Sequence, residues 1–304
     1  MSPRIQKTVL SRARVERLQH HLDALLAAHD RQGSLAADPL AFPRRYRDPA
    51  DQEVAAFYAG FLAFGRVDLF RPVLGAWFAW LDEHGGPAEA SRTLDLDAAA
   101  PLLPLYYRWV RGPDLVHLTL ATGRVLEEHG SLEAVFAGPG DVREHLVRGC
   151  DALRDALVAT SARTGSPVDD PGSLSRGLRY MLASPRSGSA CKRWNMILRW
   201  LVRPADGVDL GLWRCLRPDQ LVMPVDVHVL RHARFLGLTR RPEASWRTAE
   251  EITRNLRRLC PEDPVRYDFA LAHLGISGAC LGHRDDAVCP TCPLDTLCKA
   301  PPKP

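Results

Sequence analysis

Apolar residues recur along this chain at the three- and four-residue spacing of helices, and no segment shows the strict alternation of a half-buried strand. Ser11 can cap a helix in which Val15, Leu18, Leu22 and Leu25 share one face, with Gly33 beyond its end. Asp51-Gln52-Glu53 opens a second helix that carries Val54, Phe57, Phe61 and Leu62. The same spacing predicts helices over 67–83, 113–129, 140–160, 173–183, 190–202, 227–236, 246–259 and 264–274. Gly85-Gly86-Pro87, Gly138-Pro139-Gly140 and Gly165-Ser166-Pro167 punctuate them. No repeat of fixed period is visible. The expectation is an all-α fold of about ten helices, and 304 residues allow one large domain or two smaller ones.

Composition excludes two classes outright. With 46% apolar and 25% charged residues the chain can bury a core and is too hydrophobic for disorder. Its longest run without a charged residue, 269–283, holds 15 residues including two histidines. A membrane-spanning helix needs roughly 18–20 apolar residues. The start, Met1 to Lys7, is basic but leads into no apolar signal core, so a cytoplasmic, monomeric protein without a membrane partner is expected. The net charge of +4 is uneven: residues 176–258 carry 17 Lys/Arg against 7 Asp/Glu, which leaves −6 for the rest. Such asymmetry suggests a polyanion as partner, although a solvated basic surface would look the same.

Four of the eight cysteines fall within 19 residues, as Cys280-x8-Cys289-x2-Cys292-x5-Cys298. In a cytosolic chain this is no disulfide framework. Four thiolates in so short a loop, stiffened by Pro290 and Pro293, can surround one metal centre. Structural zinc sites usually bring two short knuckles, and this tail has one. An iron–sulfur cluster also takes four thiolates and tolerates uneven spacing. Spacing favours the cluster and leaves zinc as the alternative. Cys150, Cys191, Cys215 and Cys260 stand singly and read as small core residues.

In Ser184-Pro185-Arg186-Ser187-Gly188-Ser189-Ala190-Cys191-Lys192, one helix ends, a small-residue hairpin follows and a new helix begins. Free backbone N–H groups at such a start can hold a phosphate, and Gly188 permits close approach. Lys192 then sits in the first turn, where the helix dipole favours a neutral, nucleophilic amine. A plain surface lysine fits the local sequence equally well. Asp226, in Val225-Asp226-Val227-His228-Val229, reads first as a helix N-cap. A carboxylate there could also stabilise a developing cation on a sugar.

Taken together, Lys192, Asp226 and the four-cysteine tail resemble the helix-hairpin-helix DNA glycosylase superfamily, and above all its endonuclease III-like members. The resemblance covers about residues 50–300. It lies in the order of the three elements, the Val-Asp-x-His-Val segment and the x2 and x5 cysteine spacings. The hairpin lacks the family's usual Leu-Pro-Gly-Val-Gly. The 34 residues from Lys192 to Asp226 form an interval longer than in endonuclease III-like members, as in the archaeal 8-oxoguanine branch.

The resemblance implies two helical subdomains with a C-terminal iron–sulfur loop: a barrel over 46–203, and a second half over 204–304 on which the 1–45 helix packs. It implies excision of an oxidised purine such as 8-oxoguanine from double-stranded DNA, with AP lyase activity. Lys192 would be the nucleophile and Asp226 its electrostatic partner. Arg186, Ser187, Gly188, Arg193, His228 and Arg231 would hold DNA, while Asp268, Trp194 and Phe64 would contact the base. Cys280, Cys289, Cys292 and Cys298 would bind a 4Fe-4S cluster. Two other readings stand beside it. One is a non-enzymatic DNA- or RNA-binding protein; the other is a zinc-stapled interaction protein.

Overall fold

The computed structural model describes residues 8–165 and 167–303. The basic start Met1 to Lys7, Ser166 of the Gly165-Ser166-Pro167 turn, and Pro304 lie outside the described residues. Helices account for 59% of the chain and strands for 2%, which bears out the all-α expectation. The helices are α1 (Arg12–Ala28), α2 (Arg31–Ala37), α3 (Pro49–Leu62), α4 (Val67–Glu83) and α5 (Pro87–Arg92). There follow α6 (Gly112–His129), α7 (Leu132–Phe136), α8 (Val142–Thr160) and α9 (Arg176–Met181). The last are α10 (Lys192–Val202), α11 (Val227–Phe235), α12 (Trp246–Arg257) and α13 (Asp268–Ile276). A two-stranded hairpin, β1 (Tyr106–Tyr107) and β2 (Val110–Arg111), precedes α6. No helix is long and apolar enough to cross a membrane, among the described residues.

The chain divides into two compact units, and the division falls inside α10, after Arg199. One unit comprises 35–187 and 200–216. Its core surrounds α3 and α6. Every residue of α3 from Glu53 to Leu62 is buried, so this helix is apolar nearly all round, as a central helix must be. α6 packs against α5, α7 and α8. The one charge in the buried stretch of α3, Glu53, has its carboxylate satisfied. It accepts from the backbone N–H of Leu132 (3.0 Å) and Glu133 (2.9 Å) and from Trp213 Nε1 (2.7 Å). It therefore caps α7 while burial pushes its carboxyl upward.

In the hairpin of this unit, Tyr106 pairs with Arg111 and Tyr107 with Val110, so Arg108 and Trp109 form the turn. Arg108 has a left-handed φ of +54°. That conformation normally selects glycine and costs roughly 1–3 kcal/mol for other residues. Strands of two residues are too short to show alternation, so the sequence gives no sign of them.

The other unit comprises the chain up to Ser34, then 188–199 and 217–304. Ser11 Oγ accepts from Arg14 N at 3.3 Å to start α1, whose Leu18, Leu22 and Leu25 are buried. Each such leucine contributes about 2 kcal/mol. Arg14 donates to the carbonyls of Leu236 (3.0 Å) and Leu297 (3.2 Å), and Tyr267 donates to Asp23 (2.8 Å). These bonds tie α1 to the C-terminal part of the chain. α11 packs on α13. A Cβ at Gly275 would come within 2.6 Å of His228 Nδ1, so only glycine lets these helices approach there.

Candidate active site

The hairpin before α10 is anchored within its unit. Ser189 forms an isolated antiparallel bridge with Ser245, and Gly188 O accepts from Trp246 N at 3.0 Å. Gly188 (φ +78°) and Cys191 (φ +47°) both adopt left-handed backbone. Lys192 follows as the first helical residue, half-buried, as its position after a Pro/Gly turn predicts. Its Nζ donates to Met196 Sδ at 3.1 Å. No ion pair among the described residues engages it, so the amine stays available.

Asp226 caps α11. Its Oδ1 accepts from both His228 N and Val229 N at 2.9 Å, and Oδ2 is left to other partners. The cap therefore uses one oxygen of the carboxylate. Asp268 begins α13 and is 4% exposed. Arg199 Nη1, from α10, lies 2.6 Å from Asp268 Oδ2. Burial pushes the Asp268 carboxyl up to about 6, against the pull of Arg199 and then Lys192 and with Asp226 adding to the rise. Lys192, Asp226 and Asp268 thus share one electrostatic neighbourhood. Arg199, which the sequence reading passed over, is what occupies Asp268.

The remaining site residues are dispersed. In the 35–187 unit, Arg186 pairs with Asp151 at 2.9 Å and Ser187 Oγ donates to Ser184 O at 2.8 Å. Phe64, in the same unit, packs among Tyr107, Trp109 and Tyr180. In the other unit, Arg193 and Trp194 are buried. Arg231 Nη2 lies 3.4 Å from His228 Nδ1. The basic stretch 176–258 contributes to both units. Part of its excess is neutralised by acids outside the stretch, through Arg186–Asp151 and Arg199–Asp268.

All four tail cysteines line one cavity, with about 520 Å³ of empty space that includes open solvent. His232, Phe235, Leu236 and Leu274 complete much of its apolar wall. Burial raises the Cys292 and Cys298 thiols, and the charges of the neighbouring cysteines add to the rise. His232 is 3% exposed and faces the same cavity. Its Nδ1 pairs with Leu271 O at 3.0 Å, its buried Nε2 has no partner, and burial holds it neutral, with a pKa of about 4. Among the described residues, no three His, Cys, Asp or Glu side chains stand close enough to share one metal ion. The thiols surround a space without converging on a point.

The fold is all-α, and Lys192, Asp226, Asp268 and the four-thiol cavity belong to the same unit. The chain belongs to the family described as "Protein of unknown function (DUF2400)", whose model matches residues 38–277. No curated protein matches the chain. The family found is not a helix-hairpin-helix glycosylase family, which corrects the resemblance drawn from the sequence. The physical reason is that the motifs behind it are local. An aspartate before a helix recurs wherever an N-cap is needed, and Asp226 is one. The cysteine tail begins at Cys280, beyond the matched span.

Proposed function

We propose that the protein excises a damaged base from DNA, with Lys192 as nucleophile and Asp226 as its electrostatic partner. The observation that carries this reading is an amine at a helix start, engaged by a thioether and by no carboxylate, in the unit that also holds the capping carboxylate of Asp226. Amine attack at C1′ of a nucleotide forms a C–N bond as the glycosidic bond breaks, and the base departs with that electron pair and takes up a proton. Loss of the ring oxygen bond at C1′ gives a Schiff base. Removal of a C2′ proton then expels the 3′ phosphate, which is the lyase step. Asp226 Oδ2 would stabilise the positive charge that develops on the sugar. The Arg199–Asp268 pair ties the start of α13 to the last turn of α10.

Cys280, Cys289, Cys292 and Cys298 would hold a 4Fe-4S cluster, a reading supported by the four thiols lining one cavity. The cluster would shape the loop rather than take part in the excision. Zinc on the same four thiols is the alternative.

The reading is tested by base release from duplexes carrying different damaged bases, oxidised purines first. Release of one base with turnover supports it. Salt-sensitive binding to every duplex without release would leave a non-enzymatic DNA- or RNA-binding protein instead.

A further inference from the structure

The hairpin of the 35–187 unit presents aromatic rings and guanidinium groups in alternation. Tyr106 is 64% exposed and Tyr180 37% exposed. Arg108 lies within 6.0 Å of the Phe64, Tyr107 and Trp109 ring centres, and Arg111 lies 5.4 Å from the Tyr106 ring. Arg176 sits 5.0 Å from the Trp109 ring. Phe64 stacks on Trp109 at 5.6 Å with an interplanar angle of 18°, and Tyr180 meets both rings edge-on.

The nearby acids are already engaged. Asp68 is held by Arg66, and buried Asp114 accepts from Arg111 N and Ser175 Oγ. Arg108, Arg111 and Arg176 form no ion pair among the described residues. The support of the hairpin is specific. Tyr107 Oη donates to Phe64 O, and a Cβ at Gly65 (φ +78°) would run into Tyr107 Oη and Arg108 Nη2. Arg108 holds its left-handed backbone where glycine would be at ease, and thereby keeps its guanidinium over three rings.

We propose that this hairpin, with Phe64 and Tyr180, is a docking platform for the unpaired bases of a nucleic-acid strand. Exposed rings offer stacking faces that accept any base, and the unpaired guanidinium groups neutralise the phosphates between them. An acidic protein segment would satisfy the charges but leave the exposed rings unused. The proposal does not rest on the Lys192 chemistry, since every residue in it lies within the 35–187 unit.

Trp109 gives the test its readout. It is half-buried, whereas Trp77, Trp80, Trp194, Trp200, Trp213 and Trp246 are all buried. A thymidine oligonucleotide of about 16 residues, long enough for a single-strand site, should quench a minor part of the tryptophan emission of the full chain. Its affinity should fall about tenfold or more in Tyr106→Ala and in Arg108→Gly. Glycine suits the φ of +54°, so the second variant keeps the hairpin while removing the cation. Circular dichroism should show both variants folded. Unchanged affinity in both folded variants would overturn the proposal. So would polyglutamate competing as well as the oligonucleotide at equal charge, because bases would then contribute nothing.

Discussion

Arg199 Nη1 lies 2.6 Å from Asp268 Oδ2 with both side chains 5% exposed or less, so the last turn of α10 is locked to the start of α13 through a dry ion pair. Removing one partner strands the other. Arg199→Leu should therefore destabilise the protein by about 3–5 kcal/mol near pH 8, measured by urea unfolding. Arg199→Leu combined with Asp268→Leu should recover most of that loss, since an apolar pair carries no desolvation cost. A double variant no better than the single one would show that the pair holds more than itself.

The same carboxyl sets a pH dependence. Burial raises Asp268 from 3.8 to about 6, so the folded state binds its proton more tightly than the unfolded chain does. Its contribution is complete below the ordinary value and is lost as pH rises through about 6. Relative to Asp268→Asn, which cannot titrate, the wild type should lose melting temperature between about pH 4 and pH 7. A difference between the two that stays flat over this range would contradict the assignment.

Asp226 separates two roles that one substitution can resolve. Asparagine caps helices about as well as aspartate, so Asp226→Asn should leave the melting temperature nearly unchanged. Lost charge stabilisation should slow base release by about 10²–10³-fold. Asp226→Ala should also lose about 1 kcal/mol of stability with the cap. Full activity in Asp226→Asn would leave the residue with capping alone.

Purified without oxygen from iron-replete cells, the protein should be brown and hold about four iron and four sulfide per chain. Cys292→Ser should lower both together. Stoichiometric zinc without iron would instead mean that the thiols close on one ion.

Much of this was legible in the sequence where periodicity was long. Leu18, Leu22 and Leu25 mark the buried face of α1, and Val67–Glu83 is a helix with the bounds the spacing predicts. Short elements escaped: α5 has six residues and α7 five, too few for a helical period to repeat. The Tyr106–Arg111 hairpin escaped for the same reason. Cysteine spacing pointed to a metal centre, and the four thiols line one cavity. Asp268 was singled out as a base contact, but its partner Arg199 lies 69 positions away and no local pattern joins them. The Val-Asp-Val-His-Val segment led towards the wrong family because a capping aspartate before an apolar helix is demanded by backbone physics wherever such a helix begins.

The central claim is that Lys192 is the nucleophile, and borohydride trapping tests it most directly. Wild-type protein incubated with a damaged-base duplex, an 8-oxoguanine duplex among them, should yield a covalent protein–DNA adduct when the Schiff base is reduced. Lys192→Gln should yield none while binding the same duplex with nearly unchanged affinity, since glutamine cannot form the imine. An adduct of undiminished yield in Lys192→Gln, or no adduct from the wild type on any damaged duplex, would contradict the account.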